Sequence, residues 1–193
     1  MVDAGSRRPR AERVDGSVRR GLLLDAAEGI LSEQDPLLVS FDEIARSAGV
    51  SRALVHKYVG DRRGLIDAVQ QRVVERLDRW VAHGLGRADD LDAACRALAY
   101  GCWSFVEAEP RGWSVLTATG GLDHPDAHTL RARWTATIEG HLAPPTGGDG
   151  GPGPGVGPSL AVLGLLAGVG SWVRRGVDPD DVHRAFRAAA DPT

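Results

Sequence analysis

Apolar residues recur at intervals of three and four along most of this 193-residue chain, the spacing that places them on one face of an α-helix. Breakers such as Asp35-Pro36, Gly49 and Glu109-Pro110 divide the pattern into segments. No segment shows the alternation and β-branched enrichment of a strand. The sequence therefore predicts an all-α fold of about nine helices, at residues 18–34, 41–48, 52–59, 61–83, 90–107, 111–119, 125–142, 159–176 and 180–190.

Two of the predicted helices have a well-defined apolar stripe, which we expect to face the core because burial of one face stabilises a helix. The first stripe consists of Val18, Leu22, Leu23, Ala26, Ala27, Ile30 and Leu31. The stripe of the fourth helix consists of Leu65, Ile66, Val69, Val73, Leu77 and Trp80.

Composition divides the chain into an arm, a head and a body. Residues 1–16 hold four Arg and no aromatic residue, which predicts a disordered basic arm. Residues 17–60 form the predicted head and residues 61–193 the predicted body. Within the body, twelve of the sixteen residues 143–158 are Gly or Pro, which predicts a flexible loop.

The head carries the pattern of a helix-turn-helix between Phe41 and Tyr58. Ala45 supplies the small residue that two steeply crossing helices need at their contact. Gly49 supplies a turn residue that tolerates a positive φ. An ordinary helical hairpin is the alternative, but the register of the apolar positions and the preceding helix favour the helix-turn-helix.

Helix-start signals agree with this division. Ser17 is the expected N-cap of the first helix. Ser40 and Glu43 are spaced as a capping box, in which the Ser40 hydroxyl accepts from the Glu43 amide and the Glu43 carboxylate reaches back. Ser51 is the expected N-cap of the third helix.

Charge is distributed unevenly, although the net charge is only −3. Residues 7–20 hold six Arg against two acidic residues, and residues 46–63 hold four Arg and one Lys against one Asp. A locally basic region on an acidic body is typical of a duplex-binding protein, because basic groups displace counterions from phosphates. A solvated charged face is the alternative, but the basic region coincides with the helix-turn-helix, which favours DNA binding.

The segment from Ser40 to Ile66, SFDEIARSAGVSRALVHKYVGDRRGLI, resembles the DNA-binding segment of the TetR family of transcriptional regulators. The resemblance covers about Ser17 to Val69. It implies an all-α homodimer in which each subunit has a three-helix DNA-binding head and a helical body that binds a small-molecule effector. It further implies that the effector tilts the fourth helix and separates two heads that fit major grooves only about 34 Å apart.

The resemblance also implies roles for individual residues. The positions that match the family's base-edge contacts are Arg52, Ala53, His56 and Lys57. The positions that match its phosphate contacts are Ser40, Leu54, Tyr58 and Arg62. Three of these depart from the commonest family residue: His56 replaces Tyr, Leu54 replaces Thr and Arg62 replaces Lys. Leu54 cannot bond a phosphate, whereas His56 can donate or accept at a base edge or else pack beneath the helix.

The predicted effector site lies among residues 90–142. Its candidate residues are large apolar rings and mildly polar groups, namely Tyr100, Trp103, Trp113, Thr117 and Trp134. This mixture suits an uncharged or lipophilic effector held by few hydrogen bonds. The alternative for each tryptophan is that it simply fills the core.

A stripe of small residues on the eighth predicted helix indicates a close helix–helix contact. The candidate dimerisation residues are Ala161, Gly164, Gly168, Ser171 and the adjacent Trp172. We expect the last helix, with Val182 and Phe186 inward, to complete a bundle with the partner subunit. Packing against the chain's own core is the alternative.

Other functions have weaker support. His124 and His128 are spaced to share a helix face, as metal ligands can be, but we expect Asp123 to cap that helix and both imidazoles to be exposed. No nucleophile elbow, phosphate loop or dinucleotide motif is present, so we expect neither an enzyme nor a cofactor. A helix-turn-helix used only for protein contacts would have a neutral recognition face, unlike Arg52 and Lys57. A DNA-binding regulator without an effector stays open.

The remaining features predict a cytoplasmic protein that does not enter membranes. Two cysteines, Cys95 and Cys102, cannot build a disulfide scaffold. The first 20 residues lack a signal-peptide pattern. The longest apolar run, Leu160 to Val173, is short and glycine-rich for a membrane span.

Overall fold

The computed structural model describes residues 16–142 and 156–191, and every regular element within them is helical. The helices are α1 (Gly16–Glu33), α2 (Phe41–Ser47), α3 (Arg52–Val59), α4 (Arg62–Leu85), α5 (Leu91–Ala108), α6 (Pro110–Ala118), α7 (Pro125–Gly140), α8 (Val156–Arg174) and α9 (Pro179–Ala190). One 3₁₀ turn, Gly121–Asp123, precedes α7. Helices α1–α3 form the head and α5–α9 form the body, while α4 packs against both. The predicted all-α fold is confirmed.

The observed helix bounds differ from the expected ones by at most three residues. The largest difference is at α8, which begins at Val156, so the last three residues of the predicted loop 143–158 are helical. Pro158 fits there because a helix's first turn has no intrahelical partner for its amide groups. Residues 1–15 of the predicted arm 1–16 and residues 143–155 of the predicted loop lie outside the described residues, and Gly16 is the first residue of α1.

Of the three predicted serine N-caps, Ser40 and Ser51 cap their helices and Ser17 does not. Ser51 caps α3 as predicted, its hydroxyl accepting from the Leu54 amide at 3.3 Å. The capping box on α2 is wrong: the Ser40 hydroxyl accepts from the Asp42 amide at 3.2 Å, and the Glu43 carboxylate accepts from Gln34 at 2.8 Å. Helix α1 already includes Gly16, so Ser17 is a helical residue rather than the cap.

The apolar stripes are only partly confirmed. Val18 and Leu22 of α1 are 51% and 49% exposed, because the buried face of α1 is Leu23, Leu24, Ala27 and Leu31. On α4, Trp80 is 42% exposed, and its indole nitrogen donates to the Glu109 carboxylate at 3.1 Å. The hydrogen bond to Glu109 thus holds the Trp80 indole near the surface and outside the buried stripe of α4.

Ion pairs from α4 join the head to the body. Arg76 lies in the middle of α4, and its guanidinium donates to Glu28 of α1, at 3.0 Å from Nη1, and to Glu109 between α5 and α6. The three side chains are only 15%, 13% and 26% exposed. Burial alone would lower the pKa of Arg76, but the hydrogen bonds and charges of the two glutamates raise it. This Arg76 cluster fixes three segments that are distant in the chain.

Two further contacts fix the interior of the body. Gln70 of α4 is buried, and its amide donates to the Thr119 carbonyl at 2.9 Å and hydroxyl at 2.8 Å. Gly170 of α8 lies against the indole of Trp113, where an added Cβ would come within 2.1 Å of Nε1. The body core therefore depends on close approaches between elements that are far apart in sequence.

Candidate DNA-binding site

The turn between α2 and α3 has the geometry of a helix-turn-helix. Ala45 is 6% exposed where the helices meet, and its carbonyl accepts from the Val50 amide at 2.9 Å. Gly49 has a φ of +65°, a conformation that L side chains rarely adopt. The motif predicted from Ala45 and Gly49 is therefore confirmed.

Helix α3 has a buried side and an exposed side. Val55 and Val59 face the head core, with exposed fractions of 0% and 8%. The four predicted base-edge residues are all exposed, namely Arg52, Ala53, His56 and Lys57. The structure thus brings them onto the solvent side of one helix, and their contacts with bases stay predictions.

Arg52 has a partner that sequence reasoning missed. Its guanidinium Nη1 lies 2.8 Å from the carboxylate of Asp42, the second residue of α2. Both side chains are more than half exposed, so the pair contributes little to stability, but it restrains the guanidinium. Helical periodicity does not reveal the pair, because the contact depends on the angle between α2 and α3.

His56 lies at the surface and does not pack beneath α3. Its Nδ1 is 2.9 Å from the carbonyl oxygen of Gly60, just past the end of the helix. Its ring contacts the ring of Phe41, with centroids 4.7 Å apart and planes inclined at 56°. Both contacts hold the imidazole on the exposed side of the head.

The predicted phosphate-contacting residues also have partners within the protein. Arg62 donates to the carbonyls of Leu37 and Val39, the latter at 3.1 Å, and thereby ties the α1–α2 loop to the start of α4. Tyr58 is half-buried, and its hydroxyl lies beside Gly16 of α1. The Ser40 hydroxyl caps α2. Phosphate contacts by these residues stay predictions.

The predicted effector residues separate into two groups. Trp103, Trp113 and Trp134 are 6%, 5% and 0% exposed in the body core. Tyr100 instead donates to Asp180 of α9, and that hydrogen bond raises the pKa of the Tyr100 phenol. Thr117 is exposed, and its hydroxyl donates to the Trp113 carbonyl at 3.1 Å. The structure brings the tryptophans into one core and leaves the two hydroxyls at its edge.

Three of the five predicted dimerisation residues, Ala161, Gly164 and Trp172, line an apolar groove between α8 and α9. The groove has a volume of about 520 Å³ and is lined by Leu160, Ala161, Gly164, Trp172, Val182 and Phe186, among others. Leu160 and Leu163 are 63% and 44% exposed beside it. The indole of Trp172 lies over Gly168, where a Cβ would come within 2.3 Å of the ring. Ser171 is half-buried at the same end of α8.

The two histidines considered as metal ligands have other partners. The imidazole of His124, rather than Asp123, caps α7 by accepting from the Asp126 amide at 3.2 Å, and its other nitrogen lies 3.0 Å from Asp67. The His124 side chain is 9% exposed and therefore not at the surface as expected. His128 lies 2.7 Å from Arg131. Among residues 16–142 and 156–191, no group of three possible metal ligands is present.

The two thiols are buried and unlinked. Burial raises the pKa of Cys95 to about 11 and that of Cys102 to about 12, so both stay protonated at neutral pH. In the part of the chain that the structure describes, no helix combines the length and apolarity needed to cross a bilayer.

Comparison with known proteins agrees with this geometry. Residues 23–69, which include α2, α3 and the start of α4, match the family model for bacterial regulatory proteins of the tetR family. A Mycobacterium tuberculosis protein named an uncharacterized HTH-type transcriptional regulator is 40% identical over 143 residues, which cover 60% of this chain and 70% of that protein. The Mycolicibacterium smegmatis transcriptional activator FasR is 30% identical over 126 residues, or 63% of this chain and 58% of FasR.

The solved structures extend the likeness to the whole fold. A TetR-like transcriptional regulator from Rhodococcus sp. RHA1 superposes with a TM-score of 0.64 over 95% of this chain and 96% of its own, at 23% identity. Several other curated relatives match over only 36% to 51% of their own length. The chain belongs to the TetR family of transcriptional regulators.

Proposed function

We propose that this regulator binds a pseudo-palindromic DNA operator as a homodimer, acts as a repressor, and is released by a small lipophilic effector. The observation that carries the proposal is the exposed side of α3, where Arg52, His56 and Lys57 project from a helix supported by a compact head. Arginine and lysine are the side chains that most often read guanine in a major groove. Repression is the commoner family behaviour, whereas the relative FasR is named an activator.

The groove between α8 and α9 supports dimerisation. It is apolar and flanked by the exposed Leu160 and Leu163, which a soluble protein normally covers. A second copy fits this face because Gly164 leaves room for close helix approach: an added Cβ would meet no atom of its own subunit. Two-fold symmetry would then match the symmetry of the operator.

An unpaired hydrogen-bond donor in the body core supports binding of an effector that accepts a hydrogen bond. Trp134 is fully buried, and its indole N–H has no acceptor among the described residues. A buried unpaired donor costs free energy, which an acceptor on a bound molecule would recover. A body that binds no effector, or a head that contacts protein instead of DNA, is the alternative function.

The first experiment is selection of bound duplexes from a random pool at about 0.15 M salt, where non-specific phosphate contacts are partly screened. Recovery of a two-fold-symmetric site is the expected result. Binding without a consensus that vanishes with salt would instead favour the protein-contact function.

Protein variants tested on the selected duplex show whether the exposed side of α3 reads its bases. Lys57→Ala should weaken specific binding by about 1–3 kcal/mol while leaving random-sequence binding nearly unchanged. Arg133→Ala is the matched control, because Arg133 pairs with Asp78 on the body surface. Equal losses on specific and random DNA for Lys57→Ala would contradict a base-reading role.

The dimer face and the effector site are tested separately. Gly164→Glu should give a monomer in analytical ultracentrifugation, whereas Gly140→Glu, at an equally open site on α7, should not. Trp134→Phe removes the buried N–H and should weaken release of labelled operator by an effector found in a panel of uncharged lipophilic compounds. Unchanged release would exclude Trp134 as the donor.

A further inference from the structure

His56 and Gly60 hold each other through two hydrogen bonds. The Gly60 amide donates to the His56 carbonyl at 2.9 Å, which closes the last turn of α3. The Gly60 carbonyl oxygen in turn lies within hydrogen-bond distance of the His56 imidazole, also 2.9 Å from Nδ1. Gly60 has a φ of +72°, and this conformation lets the peptide fold back toward the helix.

This pairing fixes which imidazole nitrogen carries the proton. A carbonyl oxygen only accepts hydrogen bonds, so Nδ1 must donate and therefore bears the hydrogen. In the neutral ring, Nε2 is then a bare acceptor. Contact with the Phe41 ring restrains the plane of the imidazole at the same time.

The neighbouring side chains have the opposite hydrogen-bonding character. Arg52 lies one turn before His56 and only donates, with one of its nitrogens held by Asp42. Lys57 also only donates. His56 therefore contributes the hydrogen-bond acceptor among the exposed long side chains of α3.

We propose that His56 determines operator specificity by accepting, at Nε2, a hydrogen bond from the exocyclic amine of adenine or cytosine. These amines are the hydrogen-bond donors that base pairs present in the major groove, whereas guanine and thymine present acceptors there. The inference rests on the proposed DNA-binding function and names the chemical group that one residue reads. Asp42 and Gly60 act as positioning residues for Arg52 and His56.

A double-mutant cycle with modified operators tests the contact. The base pair read by His56 is the one whose preference is lost when selection is repeated with His56→Leu. At that pair, the amine is deleted by replacing adenine with purine or cytosine with 2-pyrimidinone. The deletion should weaken wild-type binding about three- to tenfold and leave His56→Leu binding unchanged.

Two matched changes exclude a merely structural effect of the substitution. Replacing the purine N7 at the same pair by carbon removes an acceptor and should affect wild type and His56→Leu equally. His56→Gln keeps an acceptor, so its binding should again depend on the amine. Coupling of His56 to N7 instead of the amine would overturn the inference.

The protonation state is measured without DNA. Long-range proton–nitrogen correlation spectra of the free protein, assigned with His56→Gln, should show the proton on Nδ1 and a bare Nε2. A proton on Nε2 would overturn the inference and leave DNA binding intact. Failure to select any symmetric site would overturn the proposed function and the inference with it.

Discussion

The head and the body use polar contacts of different range along the chain. In the head and at the start of α4, polar side-chain contacts span at most 25 residues, from the Ser51 cap on Leu54 to the bond that Arg62 donates to Leu37. In the body, polar side chains join more distant segments, as Tyr100 of α5 does with Asp180 of α9, 80 residues further along the chain. Both regions also cap helices locally, as Asp90 does for Ala93 in the body, so the two regions differ in how far apart along the chain their other joined segments lie.

Glycine is required for different physical reasons in the two regions. Gly49 in the head has open space around it and is required for its positive φ. Gly170 in the body is helical and is required because Trp113 occupies the space of a side chain. Substitutions that separate backbone strain from steric overlap should therefore act differently in the two regions.

The largest loss of stability is expected for Arg76→Ala. It leaves Glu28 and Glu109 largely buried without their cation, which should lower the free energy of unfolding by about 3–5 kcal/mol. Denaturant unfolding at fixed protein concentration measures this loss. Arg133→Ala, which breaks a pair that is 57% and 28% exposed, should cost less than about 1 kcal/mol. Similar losses for both variants would remove the distinction between long-range and surface contacts.

A smaller loss is expected for Gly170→Ala. The added methyl group overlaps the Trp113 indole, and such overpacking costs about 1–3 kcal/mol. Its control is Gly29→Ala in the middle of α1, where a methyl group meets no atom, so that helix propensity should raise stability by up to about 1 kcal/mol. A stabilising effect at both positions would show that α8 moves freely away from α6.

Gly49→Ala tests the conformational requirement of the head. Forcing alanine into the left-handed region should cost about 1–2 kcal/mol without any steric contact. Operator affinity should fall with stability, because the turn sets the angle between α2 and α3. Unfolding and duplex titration measure the two effects, and unchanged values in both would mean that the turn tolerates another conformation.

The smallest loss is expected for Ser51→Ala. Removal of this cap leaves the Leu54 amide without its side-chain acceptor, at a cost of about 1 kcal/mol. Ser51→Asp keeps an acceptor and should restore most of the stability in the same unfolding measurement. A loss as large as that of Arg76→Ala would contradict the expectation that this cap stabilises the protein less than the Arg76 cluster does.

The sequence predicted most of the head and less of the body. Helix order and the helix-turn-helix follow from periodicity, from Ala45 and from Gly49, which are signals contained within a few residues. The Asp42–Arg52 pair and the Arg76 cluster could not be predicted, because each depends on how helices are oriented in space. Arg62 also has partners that its match to the family did not predict: its guanidinium lies on two backbone carbonyls, and the phosphate contact implied by the match stays a prediction.

The Arg76 cluster limits how this regulator can be recombined with its relatives. A chimera joined at residue 60 would bring a foreign α1 against this chain's α4, and the incoming head would have to supply a carboxylate at the place of Glu28. A junction placed after Arg76 transplants α1 and the arginine together, but it then requires an acidic residue in the new body at the place of Glu109. Interchangeable heads therefore need three matched charges rather than a convenient linker.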